Sequence, residues 1–108
     1  MKNVEAVLSV KFTSRHAPAK LARICAEDLN VFRGVPGLLQ KYYLIEELTQ
    51  SICGVYIFET RRARALFLIS QLSRDLPTRY GIVAETRRVE QYETAFVLNE
   101  PVETIIGC

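Results

Sequence analysis

The sequence predicts a ferredoxin-like α+β domain with the element order β-α-β-β-α-β, in which an antiparallel four-stranded sheet carries two helices on one face. Four stretches have the pattern or composition of strands, and in the first of them apolar residues alternate at every second position. In two further stretches they recur every three or four positions, as is typical of amphipathic helices. The 108 residues are 49% apolar and 24% charged, a globular composition, so we treat residues 1–108 as one domain.

The first strand and the first helix are predicted within residues 3–33. Residues 3–13 alternate between apolar and mostly polar positions, which indicates a half-buried strand. Its apolar residues are Val4, Ala6, Leu8, Val10 and Phe12. Pro18 suits the first turn of a helix, and Gly34 suits the end of one, so we predict a helix over residues 18–33. Its apolar stripe consists of Leu21, Ile24, Cys25, Leu29 and Phe32.

The remaining three strands and the second helix are predicted within residues 38–99. Residues 38–48 and 51–60 predict two strands, and their short connection predicts a hairpin. Residues 60–76 predict a second helix, which Pro77 is expected to end because proline cannot continue a helix. Residues 85–99 predict a long last strand, with or without a bulge.

The two middle strands are apolar on both faces. Tyr42 and Tyr43 have opposite parity on one strand, as do Val55 and Tyr56 on the next. Helices cover only one face of such a sheet, and an exposed apolar face is unusual in a monomer. The pattern therefore predicts a two-fold homodimer whose sheets pack together.

Charge and cysteine usage exclude several functional classes. The net charge of +2 gives no indication of nucleic-acid binding, and the first residues alternate instead of forming an apolar run, so we expect no membrane segment. Three cysteines without a signal peptide predict a reducing, cytoplasmic location. Their spacing and the single histidine argue against zinc, and neither a dinucleotide fingerprint nor a phosphate loop is present, so no cofactor is expected.

Three short segments resemble a known family. The segments are VPGL (35–38), GVYIFE (54–59) and FVLNEP (96–101), and their order and spacing fit nearly the whole chain. They are similar to the YdhR-like monooxygenases of the dimeric α+β barrel superfamily, which includes the antibiotic-biosynthesis monooxygenases. The resemblance implies a homodimeric barrel with a pocket between helices and sheet in each subunit. It also implies oxidation of aromatic or polyketide-like molecules by dioxygen without metal or flavin.

Four aromatic residues are candidates for binding a substrate. Tyr56 and Phe58 share a strand face with Gly54, which leaves space for a ligand or another backbone; packing under the second helix is the alternative. Tyr42 and Tyr92 are further pocket candidates, with sheet-to-sheet packing as their alternative. A buried tyrosine normally has a hydrogen-bond partner, so we expect one for Tyr56 in either case.

Three residues are candidates for catalysis. His16 lies at a strand-to-helix junction and titrates near neutrality when unperturbed, so it is a candidate general base. Arg88 is a candidate for holding an anionic substrate, although pairing with Glu85 or Glu90 is the alternative. Tyr56 is a candidate hydrogen-bonding group in the pocket. Asn99, in the matching NEP segment, fits a strand-end turn better than catalysis.

These residues and the resemblance predict a cofactor-independent, monooxygenase-like protein that acts on a small aromatic or polyketide-like molecule. Two alternatives stay open: a non-catalytic dimer that binds a small ligand, and an isomerase or cyclase on the same fold. Oxygen uptake with a phenolic substrate separates the oxygenase from both.

Overall fold

The computed structural model describes residues 6–98, which form four strands and four helices. The strands are β1 (Ala6–Phe12), β2 (Leu38–Ile45), β3 (Ile52–Phe58) and β4 (Arg88–Glu93). The helices are α1 (Pro18–Glu27), α2 (Leu29–Arg33), α3 (Arg61–Leu68) and α4 (Gln71–Arg79). Residues 3–5 of the predicted first strand and Asn99 lie outside the described residues.

The four strands form one antiparallel sheet with the order β2-β3-β1-β4. This order and the sequence of elements confirm the ferredoxin-like prediction. In the register, Tyr56 of β3 lies opposite Leu8 of β1 and Lys41 of β2. The predicted hairpin between β2 and β3 is also confirmed, and the Glu46 carboxylate accepts hydrogen bonds from the Leu48 and Thr49 amides in its loop.

Each of the two predicted helices is divided into two shorter ones. Asp28 separates α1 from α2, and its carboxylate accepts hydrogen bonds from Arg79 and Tyr80 at the other end of the helical layer. Ser70 separates α3 from α4, because its hydroxyl caps α4 by accepting from the Ser73 amide at 3.2 Å. The bends let short helices follow the twisted sheet.

Predicted boundaries of the second helix and of the last strand are wrong. The last strand ends at Glu93, because residues 94–98 are not in a strand, and so does not extend to residue 99 as predicted. Pro77 does not end the second helix, because α4 continues to Arg79 with Pro77 in its last turn. In that position the missing N–H of Pro77 costs only one hydrogen bond. The chain turns two residues after α4, at Gly81, which has a φ of +63°. The last strand begins at Arg88 and not at residue 85, because residues 84–86 form a 3-10 turn. The Thr86 hydroxyl fixes this turn by accepting from the Thr13 amide at 2.9 Å.

The core lies between the helices and one face of the sheet. Alternate residues of β1 and β3 point into it: Ala6, Leu8, Phe12, Ile52, Tyr56 and Phe58. Phe32 of α2 and Phe67 of α3 cover them from the helical side. Burying side chains of this size stabilises the fold by about 1.5–3 kcal/mol each. Gly37, with φ of +77°, lets α2 turn into β2 where a side chain would collide with Ala63.

The opposite face of the sheet carries no helix among the described residues. Residues of the other parity form this open face, including Val7, Tyr42, Leu44, Val55, Ile57 and Tyr92. Tyr42, Leu44 and Tyr92 are each 48% exposed. The predicted second apolar face is therefore present in the single chain.

Candidate functional site

Lys41 is a charged residue on the covered face of the sheet. Strand register places Lys41 opposite Tyr56 and Tyr43 opposite Gly54, so both side chains of β2 point toward the helices. Between them, Tyr42 points to the open face. A lysine on an apolar face is costly unless its charge is compensated, which makes Lys41 a candidate functional residue.

Aromatic rings from four parts of the chain surround the Lys41 amine. The Nζ atom lies 3.4 Å from the ring centroid of Phe32 and 4.1 Å from that of Tyr43. It lies 4.5 Å from the ring centroid of Tyr56 and 5.7 Å from that of Tyr80. Such an enclosure attracts the ammonium form through the ring faces while it excludes the water that normally solvates the charge.

A chain of hydrogen bonds leads from Lys41 to a carboxylate. Lys41 Nζ donates to the Tyr43 hydroxyl at 2.8 Å. The Tyr43 and Tyr80 hydroxyl oxygens are 3.3 Å apart, and the Tyr80 hydroxyl donates to Asp28 Oδ2 at 3.0 Å. Because Tyr80 already donates to Asp28, Tyr43 donates to Tyr80, and every proton in the chain points from Lys41 toward Asp28.

Asp28 is itself held by Arg79. Arg79 Nε donates to both carboxylate oxygens, and its Nη2 donates to Oδ1 at 2.7 Å. The Asp28 side chain is 7% exposed, whereas that of Arg79 is 41% exposed. The network therefore ends at a buried carboxylate whose charge is balanced from the surface.

Burial sets the titration of the site. Desolvation lowers the pKa of Lys41 to about 7, although the nearby Cys25 and Asp28 act in the opposite direction. Desolvation also raises the pKa of Tyr43 to about 12 and raises that of Tyr80. Hydrogen bonds from Arg79 hold the pKa of Asp28 below its usual range. Near neutral pH the site thus has a lysine that exchanges its proton easily beside neutral tyrosines.

Lys41 and Tyr43 also line two neighbouring spaces. The first is a cavity of about 30 Å³ between the sheet and α4, with room for one or two water-sized molecules. Its wall includes Leu8, Val10, Gly54, Tyr56, Phe67, Leu76, Tyr80 and Arg87. Gly54 makes the room, since a Cβ there would lie 3.3 Å from the Tyr56 ring and 3.8 Å from Lys41 Cε.

The second space is an open groove of about 340 Å³ beside the edge strand β2. It is lined by Leu29, Phe32, Arg33, Leu38, Leu39, Gln40, Lys41 and Tyr43. Its volume falls in the range of small-molecule sites. Lys41 therefore lies between a small enclosed cavity and a groove that can admit an aromatic ring.

The structure places Tyr56 and Phe58 where their parity predicts. Both face the helices; Tyr56 lines the cavity, and Phe58 is fully buried under the helical layer. The expected hydrogen bond of the Tyr56 hydroxyl is not found among residues 6–98. The ring instead packs edge-on to Phe32 at 5.9 Å between centroids. The role of Tyr56 in binding or catalysis stays a prediction.

His16 does not lie at the cavity. Its Nε2 lies 2.9 Å from the Arg79 carbonyl oxygen, which only accepts, so Nε2 carries a proton and donates it. Its ring also packs against Gly81, where a Cβ would lie 3.0 Å away. The ring therefore fixes the loop after α4, and the role of His16 as a general base stays a prediction.

Tyr42, Tyr92 and Arg88 also lie away from the cavity. Register places Tyr42 opposite Val55, Tyr92 opposite Val7 and Arg88 opposite Lys11, all on the open face. Strand parity therefore points these three residues away from the cavity, through the other side of the sheet, and their roles in binding or catalysis stay predictions. The neighbouring Arg87, which precedes β4, lines the cavity instead.

Sequence reasoning missed Lys41, Asp28 and Tyr80, although the first two leave a signal. Lys41 shares the parity of Tyr43 on a strand that is apolar apart from Lys41 and Gln40. Asp28 falls four residues from both Ile24 and Phe32 on an apolar helical stripe. A polar residue at a core position needs a partner. No sequence pattern joins Asp28 to Tyr80, which is 52 residues away.

Two searches of residues 6–98 gave negative results. No group of three or more His, Cys, Asp or Glu side chains is arranged to hold a metal ion. None of the helices in this range has the length and hydrophobicity needed to cross a bilayer.

Comparison with known proteins shows the fold. No family model and no curated protein matches the chain. Among solved structures, a variant of SnoaB, a cofactor-independent oxygenase from Streptomyces nogalater, aligns with a TM-score of 0.69 and 19% identity over 91% of this chain and 100% of that one. The ActVA-Orf6 monooxygenase of Streptomyces coelicolor, in complex with nanaomycin D, aligns with a TM-score of 0.67 and 17% identity over 91% and 94%.

A third structure carries no function in its name. The NE2512 protein of unknown function from Nitrosomonas europaea aligns with a TM-score of 0.68 and 15% identity over 91% of this chain and 96% of that one. Each of the three alignments covers almost the whole of both chains. The chain therefore has the α+β fold that these three structures share.

Proposed function

We propose that this protein is a cofactor-independent oxygenase that adds dioxygen to a small, ionisable aromatic molecule bound beside Lys41. The observation that carries the proposal is the position of the Lys41 amine, which is enclosed by aromatic rings and borders both the cavity and the groove. The names of SnoaB and ActVA-Orf6 support the reaction class, since both are oxygenases with this fold.

The first step needs a base and a stabilising charge. A phenol reacts with dioxygen only after it becomes a phenolate, which is rich in electrons. With its pKa lowered to about 7, Lys41 accepts the phenolic proton near neutral pH, and the resulting ammonium stabilises the phenolate. The Tyr43, Tyr80 and Asp28 chain is placed to exchange that proton with the carboxylate.

The oxygen step balances without an external reductant. The phenolate gives one electron to dioxygen, and the resulting superoxide and substrate radical join as a C–O bond at the ring carbon. The peroxide then takes up a proton, its O–O bond breaks, and loss of water leaves a carbonyl at that carbon. In total a phenol and dioxygen give a quinone and water, so dioxygen is reduced by the substrate alone.

The two spaces beside Lys41 suit the two reactants. The cavity of about 30 Å³ has room for a molecule of the size of dioxygen, whereas the groove of about 340 Å³ has room for the ring. Phe32 and Leu29 give the groove an apolar wall. Arg33 and Arg87 add positive charge to the groove and to the cavity, which favours an anionic ligand.

The assembly proposed for this function is a homodimer in the cytoplasm. A second copy would cover the apolar open face of the sheet through a self-complementary contact. The exposed Phe96 and Leu98, which follow β4, supply further apolar surface for it. The free thiols of Cys25 and Cys53 are compatible with a reducing compartment.

Oxygen uptake with a panel of naphthols tests the proposal. We expect uptake and quinone formation in equal molar amounts, loss of both in Lys41→Met, and little change in Lys20→Met, which removes an exposed lysine of α1. Binding of naphthols without uptake would refute the oxygenase and favour a ligand-binding protein. Rearranged product without uptake would favour an isomerase or cyclase.

A further inference from the structure

We infer that Lys41 is also a carbonyl-reactive amine, which condenses with an aldehyde or ketone group of an aromatic ligand in the groove to form an imine. The oxygenase chemistry uses Lys41 as a base and a charge only. The surroundings of Nζ suit a nucleophile equally well. Imine formation by Lys41 goes beyond the proposed oxygenase function.

The contacts of Nζ leave it free to attack. Its hydrogen bond is to the Tyr43 hydroxyl, and no carboxylate of residues 6–98 lies within ion-pair distance of it. A lysine held by a carboxylate stays charged and unreactive, whereas a desolvated lysine among apolar groups becomes a nucleophile. Lys41 also lines the groove, so a carbonyl compound bound there lies beside the residue that carries the amine.

The hydrogen-bond chain supplies the proton transfers that imine formation needs. The nitrogen lone pair attacks the carbonyl carbon, so that a C–N bond forms while the C–O π bond breaks. The nitrogen loses one proton and the carbonyl oxygen takes one up, which gives a neutral carbinolamine. The carbinolamine hydroxyl then leaves as water with a proton from Tyr43, which regains one from the amine nitrogen as the C=N bond forms. Tyr43 is suited to this because its hydroxyl lies 2.8 Å from Nζ.

Burial keeps the Lys41 amine partly neutral near neutral pH, against the opposing effect of the charged groups around it. Tyr43 faces it from β2, Tyr56 from β3, Tyr80 from the end of α4, Cys25 from α1, and Asp28 from between α1 and α2. The tyrosines stay neutral because burial raises their pKa values. Asp28 is balanced by Arg79. With a pKa of about 7, about half of the Lys41 amine is neutral at neutral pH.

Reductive trapping tests the inference. The intact protein is incubated with benzaldehyde and sodium cyanoborohydride at neutral pH without dioxygen, and labelled peptides are mapped by mass spectrometry. Hydride transfer to an imine gives a secondary amine that is heavier by the aldehyde less one oxygen atom. An ordinary lysine has a share of neutral amine about 1,000-fold lower at this pH, so we expect labelling of Lys41 to exceed that of Lys11 and Lys20 by at least about tenfold.

Two comparisons keep the test decisive. The α-amino group, whose ordinary pKa is about 7.7–8.0, serves as a reference within the same molecule, and it should react in wild type and in Lys41→Met alike. Tyr43→Phe keeps the amine but loses the proton donor, so its labelling rate at Lys41 should fall about tenfold. Equal labelling of Lys41, Lys11 and Lys20 in the wild-type protein would overturn the inference. Because no oxygen is present, this result is independent of the oxygenase assay.

Discussion

The Nζ atom of Lys41 lies 2.8 Å from the hydroxyl oxygen of Tyr43, two residues further along the same strand. Side chains two apart on a strand share a face, so one edge strand carries both the amine and its first proton-exchange partner. Tyr43 in turn meets Tyr80, and Tyr80 meets Asp28. The relationship joins the edge of the sheet to the helical layer.

The first prediction concerns stability and pH. The folded-state pKa of Lys41 is about 7, below the unfolded value of about 10.4, so the unfolded chain binds more protons between these values. The free energy of unfolding should therefore rise with pH across this window, by on the order of 4 kcal/mol from this group. Denaturant titrations of wild type and Lys41→Met check it. Lys41→Met should have a higher free energy of unfolding than wild type at neutral pH, and this difference should vanish as pH approaches 10. The prediction is contradicted if the free energies of unfolding of the two proteins change in parallel with pH.

The second prediction concerns Asp28. Its folded-state pKa is lowered, so the stability it contributes is present above its unfolded value and is lost as pH falls through the folded one. Asp28→Asn should reduce the free energy of unfolding at neutral pH by about 1–3 kcal/mol. The variant should also lose less stability than wild type as pH falls, because it lacks the carboxylate that becomes protonated. Glu27→Gln is the control, because Glu27 meets Arg79 at 3.2 Å on the surface and should change stability little. Similar losses in both variants would argue against a special role of Asp28.

The third prediction separates the two rings of β3. Phe58 is fully buried, so Phe58→Ala should cost about 3–5 kcal/mol of stability. Tyr56→Phe should cost less than about 1 kcal/mol, because its hydroxyl has no hydrogen-bond partner among residues 6–98. Thermal unfolding measures both effects. If Tyr56 contacts a ligand, the same change lowers naphthol affinity or turnover at nearly unchanged stability; full activity in Tyr56→Phe would leave it a packing residue.

The fourth prediction concerns assembly. Val55 lies in the middle of the open face, between Ser9 of β1 and Tyr42 of β2. Light scattering at micromolar concentration should give twice the chain mass for wild type. Val55→Glu should give the mass of one chain, because it places a charge in the apolar contact. Val31→Glu, on the exposed surface of α2, should remain dimeric. A monomeric wild type would refute the dimer.

The fifth prediction distinguishes neighbouring arginines. Arg87 lines the cavity, whereas Arg88 points to the open face. Arg87→Gln should weaken binding of a naphtholate about fivefold, as expected for an exposed ion pair of about 1 kcal/mol. Arg74→Gln, on the exposed side of α4, provides a control that also avoids the open face. Titration calorimetry compares them; equal affinities would remove Arg87 from the site.

The sequence by itself determined the order of elements and the faces of the strands. Period-two alternation in residues 6–12 predicted the buried side of the first strand, and the parity that Tyr56 and Phe58 share with Gly54 predicted that of the third. It could not show where each helix bends, because Asp28 and Ser70 act there through hydrogen bonds made in the folded chain. Pro77 was misjudged for a related reason, since the effect of a proline depends on its position within the helix.

Only the tertiary structure decided the composition of the site. Tyr42 and Tyr43 are adjacent, and strand register assigns Tyr43 to the cavity and Tyr42 to the open face. Arg87 and Arg88 are also adjacent, but Arg87 lines the cavity from just before β4, whereas register points Arg88 to the open face. Lys41 and Asp28 were visible as polar residues at apolar positions, but their connection through Tyr43 and Tyr80 joins elements distant in sequence. Local periodicity reports burial, whereas the pKa of Lys41 depends on which rings and charges the fold brings around it.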